Sequence, residues 1–124
     1  MQRDMELIRK ILFKIEEFVN NTATFDLQIE GYSIDQIAYH CSLLYEGGYI
    51  HAYNARYASG KVHSFSVGRL TWEGHEFLDK IREDTIWNKT KEAISNKGLP
   101  FVFDIVKSVS SGIISGIVKS AVGI

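Results

Sequence analysis

Between Arg69 and Glu92 a strand-type pattern gives way to a helix-type pattern, and the helical part then changes face. Thr71 is a helix N-cap by residue type, and Glu73 follows in the first turn, where the helix dipole favours an anion. Phe77, Leu78 and Ile81 share one apolar face. Ile86, Trp87, Thr90 and Ile94 share another, about half a turn away at 3.6 residues per turn. One straight helix on one core cannot bury both faces. The segment is therefore expected to break near Asp84-Thr85, both adequate caps, or to pack its halves on different neighbours. Both tryptophans lie here. Trp72, at the strand-to-helix corner, is expected to anchor the core by sealing a hairpin against the helices. Trp87, on the second face, is expected to pack on the C-terminal tail or on another subunit.

Upstream, Met1 to Val19 has helical spacing, with Met5, Ile8, Ile11, Leu12, Ile15, Phe18 and Val19 on one face. Phe13 falls nearly opposite and is expected to be a lone exposed aromatic or part of a partner surface. The helix should stop at Asn20-Asn21-Thr22, whose short polar side chains compete for backbone hydrogen bonds. Phe25 to Ile29 alternates apolar and polar, which predicts a short half-buried strand. Ser33 with Gln36 three residues on is a capping box, with Tyr32 and Ile37 placed for a hydrophobic staple. The helix it opens carries Ile34, Ile37, Ala38, Cys41 and Leu44 as its buried stripe. Gly47-Gly48 closes it, because glycine takes the left-handed conformation readily. Tyr49 to Tyr57 and Val62 to Leu70 are rich in aromatic and β-branched residues around Ala58-Ser59-Gly60-Lys61, which predicts a β-hairpin.

Lys97-Gly98-Leu99-Pro100 punctuates the chain. The tail beyond it is amphipathic, with Val102, Val106, Val109, Ile113 and Ile117 in an apolar stripe and Lys107, Ser111, Ser115 and Lys119 on the other side. The expected organisation is a domain over residues 1–97 and a helical tail over 98–124. The tail has three readings. It docks on its own domain, or it bundles with a second copy, with Gly112 and Gly116 allowing close approach. In the third it lies in a membrane interface, which is weakened because only Lys107 and Lys119 supply charge. The residues expected to form the tail or oligomer interface are Trp87, Ile94, Val102, Val106, Val109, Ile113 and Ile117.

Composition removes several classes. In 124 residues, 45% are hydrophobic and 23% charged, ordinary for one soluble globular domain. A net charge of −1 gives no global pull toward nucleic acid or acidic lipid. One cysteine, Cys41, allows no internal disulfide and fits a reducing cytosol. MQRDMELIRK lacks a signal-peptide apolar core, and no run of about 18 residues is apolar enough to span a bilayer. A cytoplasmic protein is expected.

Helix, short strand, capped helix, hairpin and helix is the order of a winged-helix domain, so the expected class is α+β and winged-helix-like. IDQIAYHCSLLYEGGYI resembles the recognition helix and first wing strand of bacterial winged-helix regulators. The region between the first helix and Ser33 is too short and strand-like for the usual first helix of a helix-turn-helix. MQRDMELIRKIL, GYSIDQIAYH and RLTWEGHEFLDKIREDTIWNK together resemble a family of small phage and prophage proteins of unknown function. The resemblance implies a winged-helix-like fold and supplies no catalytic residues.

Duplex DNA is the partner such a fold suggests. The segment Ser33 to Gly47 carries Asp35 and Glu46 and no Lys or Arg, so bases and backbone would have to be met by Gln36, Tyr39, His40 and Ser42. Tyr49 to Leu70 carries Arg56, Lys61 and Arg69 with no acid, plus His51 and His63, and is expected to supply phosphate contacts. The bland alternative is that these cations only solubilise a hairpin. His75-Glu76-Phe77-Leu78-Asp79 starts like a zinc-protease motif but has Asp79 where the second histidine belongs, and adjacent His40 and Cys41 diverge on a helix. Glu73, Glu76 and Asp79 fit a solvated helix face, and Cys41 fits a core position. No enzyme, metal or cofactor is expected. The functional expectation is a small DNA-binding or regulatory adaptor that self-associates through its tail. The alternatives are a protein-interaction module without DNA binding, or a membrane-active effector.

Overall fold

Asp4 opens the first helix. Its Oδ1 accepts the N–H groups of Glu6 (3.0 Å) and Leu7 (3.2 Å), two of the donors a helix start leaves without partners. The helix expected over Met1–Val19 thus begins later, as α1, Met5–Phe18. The structure, a computed structural model, describes residues 1–18 and 23–123. Val19 and the expected stop at Asn20-Asn21-Thr22 lie outside the described residues. Met5, Leu7, Ile8, Ile11, Leu12 and Ile15 are buried. Leu7 widens the expected stripe, whereas Phe18 is exposed, with the Lys14 ammonium 5.2 Å from its ring centre. Phe13 is half-buried, with the Arg9 guanidinium 5.0 Å from its ring centre.

The described residues form five helices and one three-stranded antiparallel sheet, an α+β arrangement. The expected strand Phe25–Ile29 is corrected to β1, Thr24–Phe25. Asp26 takes φ +49°, a conformation that leaves the ladder, although Leu27 and Ile29 remain buried. The helix α2, Ile34–Glu46, follows with the expected capping box: Ser33 N–H donates to Gln36 Oε1 (2.8 Å) and Gln36 N–H donates to Ser33 Oγ (3.2 Å). Ile37, Ala38, Cys41 and Leu44 are buried, but Ile34, expected with them, lies at the surface. Gly48 at φ +79° closes the helix, with Tyr49 N–H donating to Leu44 O and Gly48 N–H to Tyr45 O. This is a Schellman pair.

The hairpin consists of β2, Tyr53–Ala58, and β3, Lys61–Val67. Its loop is two residues, Ser59 and Gly60, both at positive φ, the conformation whose twist matches two antiparallel strands. The sheet order is β1-β3-β2, so β3 is central. Arg56 faces Ser64 and Tyr57 faces Val62, two steps of β3 against one of β2, which makes His63 the extra residue of a bulge. Beyond the ladder, Ile50 bridges Leu70. One sheet face is buried through Phe65 and Val67.

Thr71 caps α3, Trp72–Ile81, by accepting Gly74 N–H at 3.0 Å, and its own hydroxyl donates to Gly48 O at 2.5 Å. Gly74 is a close-approach glycine: a Cβ there would stand 2.1 Å from the Tyr49 carbonyl oxygen. Trp72 is corrected from core anchor to surface residue. It is 76% exposed, because the face of α3 turned inward is set by Gly74, Phe77, Leu78 and Ile81, all of them buried.

Backbone contacts divide the chain into residues 1–75 and 76–124, and the boundary expected after residue 97 falls inside the second unit. The expected break is present: α3 ends at Ile81, and α4, Asp84–Asn96, starts from Glu83, whose φ −73° and ψ 129° are extended. A Schellman pair at Gly98 (φ +63°) and Leu99 ends α4. It packs against α5, Phe103–Ala121, with Trp87, Thr90 and Ile94 buried on α4 and Val106 and Ser110 on α5.

Candidate nucleic-acid interface

The cations of the hairpin are all at the surface. Arg56 stands mid-strand on β2, Lys61 opens β3 beside the turn, and Arg69 lies past the end of β3, where its carbonyl accepts His51 N–H at 2.9 Å. None of the three has an ion-pair partner among the described residues. From Lys61 to Arg69 the chain extends roughly 25 Å at strand rise, so the three form a line along the hairpin and not a cluster. Tyr57, also on β2, is 66% exposed.

The hairpin is anchored by two carboxylates. Strand β1 reaches only Ser66 and Val67, so the rest of that edge of β3 has no strand beside it. Asp26 takes the next place: its N–H donates to Phe65 O (2.8 Å) and its Oδ1 accepts Phe65 N–H (3.0 Å). The bulge at His63 then turns the next backbone donor the same way, and Val62 N–H donates to Asp35 Oδ1 on α2 at 2.9 Å. Asp35, which by sequence only adds negative charge to α2, is in the fold a bracket between helix and hairpin.

The four residues of α2 expected to meet bases are not brought together. Gln36 is half-buried and its Oε1 is held in the capping box. His40 is buried: its Nε2 accepts Asp4 N–H at 2.8 Å, which leaves Nδ1 as the donor to Gln36 O at 2.7 Å. That ring joins α1 to α2 and does not reach the surface. Ser42 Oγ donates to Tyr39 O at 2.5 Å. Only Tyr39, with its ring edge-on to His40 at 5.6 Å, stands clearly at the surface. Cys41 beside it is fully buried, and burial pushes its thiol up to about 12.

Of the expected tail interface, Trp87 and Ile94 are buried in α4, the Trp87 ring lying 5.7 Å from that of Phe101. Val106 is buried on α5, while Val102, Val109 and Ile113 are half-buried. Ile117 departs from the expected stripe: it is 48% exposed, as Val118 and Val122 also are at the surface. Thirteen residues of α4 pack beside nineteen of α5, so the last turns of α5 outrun their neighbour.

Two surface residues carry no signal of their role in the sequence. Phe25 alternates with Leu27 and Ile29 and reads as core, yet it is 70% exposed. Trp72 reads as core by its size. No group of three or more His, Cys, Asp or Glu among the described residues is arranged to hold a metal ion, and no helix among them is long and apolar enough to cross a membrane.

Residues 2–100 match the family described as Hypothetical protein (DUF2513). An uncharacterized protein of Haemophilus influenzae is 40% identical over 118 residues, an alignment covering 93% of this chain and 97% of that protein. The family match ends just before α5, whereas an alignment spanning 93% of the chain necessarily enters it. No solved structure matches the chain. On the family match and this relative together, the chain belongs to the DUF2513 family of hypothetical proteins.

Proposed function

We propose that this is a non-enzymatic, winged-helix-like protein of the phage and prophage kind, a small DNA-binding or regulatory adaptor whose hairpin, and not α2, meets the duplex. The order α1, β1, α2, β2, β3, α3 and the sheet order β1-β3-β2 support the winged-helix reading. The carrying observation is the division of charge. Arg56, Lys61 and Arg69 stand unpaired on a hairpin whose own segment holds no acid, while α2 has no cation and holds Gln36 and His40 in bonds to nearby backbone. Three phosphate contacts would give modest, sequence-independent affinity, with a log–log salt slope of about −2.7. The test is binding of random duplex at low and moderate salt. Loss of binding and of the salt slope in the triple variant Arg56→Ala, Lys61→Ala, Arg69→Ala is expected; unchanged affinity overturns the reading.

A second reading has its own observation. Ile34, Tyr39 and Tyr45 are each exposed on α2, apolar and aromatic side chains on a helix without cations, which suit a protein partner better than phosphates. A wild-type chain that ignores duplex but loses a copurifying partner on Tyr39→Ala and Tyr45→Ala favours it. Self-association belongs to the projecting end of α5. Sedimentation should show a smaller species for Ile117→Asp with Val118→Asp than for the wild type, and a wild-type monomer ends that part of the proposal. Leakage of anionic vesicles by the wild type would point to the membrane instead.

A further inference from the structure

We propose that the outward face of the sheet binds unpaired nucleotides, with a base stacked on Phe25 and its phosphate met by Arg56.

Directly opposed residues of neighbouring strands share a face. Phe25 faces Ser66 and Ser66 faces Asn54, so a phenylalanine, a serine and an amide lie in one row across three strands. One pair further along, Ser64 faces Arg56. These residues are on the side opposite the buried Phe65 and Val67. At strand spacings of about 4.8 Å, Phe25 and Asn54 are roughly 10 Å apart and Arg56 lies about 7 Å beyond Asn54. A flat ring at one end, small hydroxyls between and a guanidinium at the other leave an open trough of about 590 Å³, with His63 of the bulge on its wall.

The chemistry of the trough suits one class of ligand. Phe25 is 70% exposed and has no ring contact among the described residues, so one face of a large π-system is available. Every base can stack on such a ring, whereas a base inside a duplex is covered by its neighbours. The opposite wall is cationic, and no carboxylate lines the trough. Asp26, which adjoins Phe25, holds Phe65 N–H with its Oδ1 on the strand edge. Asn54 offers a donor and an acceptor to a base edge, and Ser64 and Ser66 offer hydroxyls along the path of the backbone. An acidic or purely apolar peptide would leave either the ring or the guanidinium without a counterpart.

The inference rests on the nucleic-acid reading but uses a residue, Phe25, to which the duplex contact is indifferent. The test titrates full-length wild type, Phe25→Ala, Phe25→Trp and Arg56→Ala with a dye-labelled oligothymidine of about twelve nucleotides and with a duplex of the same length. Circular dichroism confirms each fold. Phe25→Ala should weaken single-strand binding about tenfold to a hundredfold and leave duplex binding unchanged, Phe25→Trp should restore it, and Arg56→Ala should weaken both. Single-strand affinity that is equal in Phe25→Ala and wild type, or absent in wild type, overturns the proposal even where duplex is bound. Phe25-dependent single-strand binding without duplex binding upholds it and defeats the duplex reading alone.

Discussion

Asp35 on α2 accepts the backbone N–H of Val62 on β3 at 2.9 Å, across 27 residues of sequence. The bond satisfies a strand donor that has no neighbouring strand, so its loss leaves a backbone group to find water. Asp35→Ala should lower unfolding free energy by about 1–2 kcal/mol, and Asp35→Asn, which keeps an acceptor, by less. Urea unfolding measures the loss. Amide exchange at Val62 should accelerate more than at Phe65, whose N–H is held by Asp26. Equal acceleration at both would mean that the bracket is not local.

His40 accepts Asp4 N–H through Nε2, so an apolar residue of similar size orphans that donor at the start of α1, while the Gln36 carbonyl keeps the backbone bond of its own helix. His40→Leu is expected to destabilise by about 2 kcal/mol without altering nucleic-acid affinity. Unfolding and binding titrations on one sample check both halves. A fall in affinity without a fall in stability would restore His40 as a contact residue.

Burial raises the Cys41 thiol from 9.0 to about 12. Between those values the unfolded chain has released its proton and the folded chain has kept it. The unfolded state then binds fewer protons, so stability is full below about pH 9 and falls as pH rises through the window. The loss approaches about 4 kcal/mol at its upper end. Comparing denaturant midpoints of wild type and Cys41→Ala at about pH 8 and pH 11 isolates this group. The wild type should lose more. The same burial predicts that an alkylating reagent labels Cys41 only after unfolding.

Thr90 is fully buried on α4, and its Oγ1 has no hydrogen-bond partner among the described residues. Valine has nearly the same shape and no hydroxyl to desolvate. Thr90→Val should raise stability by about 1 kcal/mol, seen as a higher Tm. A lower Tm would show that the hydroxyl has a partner in solution.

The two tryptophans should report opposite environments. Trp72 is 76% exposed and Trp87 only 2%. In Trp87→Phe, the remaining fluorescence should be red-shifted and strongly quenched by iodide; in Trp72→Phe it should be blue-shifted and protected. Equal quenching would show that Trp72 is covered in solution.

What was legible in the sequence was local. The capping box at Ser33, the glycine stop at Gly47-Gly48, the Ser59-Gly60 turn and the break before α4 each depend on residues a few positions apart, and each is present. What was not legible depends on distant partners. His40 reads as a polar surface residue until Asp4, 36 residues earlier, presents its N–H. Asp35 reads as unfavourable charge on a DNA-facing helix until Val62 arrives. Phe25 and Trp72 read as core because large rings usually are, and only the register of β1 and the inward face of α3 turn them out. Helix periodicity likewise gave the tail stripe through Ile117 but not the point where α4 ceases to accompany it. The candidate site was visible as cations and hidden as geometry.

Gly74 sets a limit on how this chain can vary. The Tyr49 carbonyl, which also accepts Thr71 N–H at 3.0 Å, occupies the space that any side chain at position 74 would need. The obstacle is backbone, so a change of rotamer cannot relieve it. Surface residues such as Arg56 or Phe25 can drift, and the protein's ligands with them, while this position admits one amino acid. A descendant of this gene that lost the glycine would have to relocate the root of its hairpin. Position 74 therefore identifies relatives that share the architecture, and it is silent about what each of them binds.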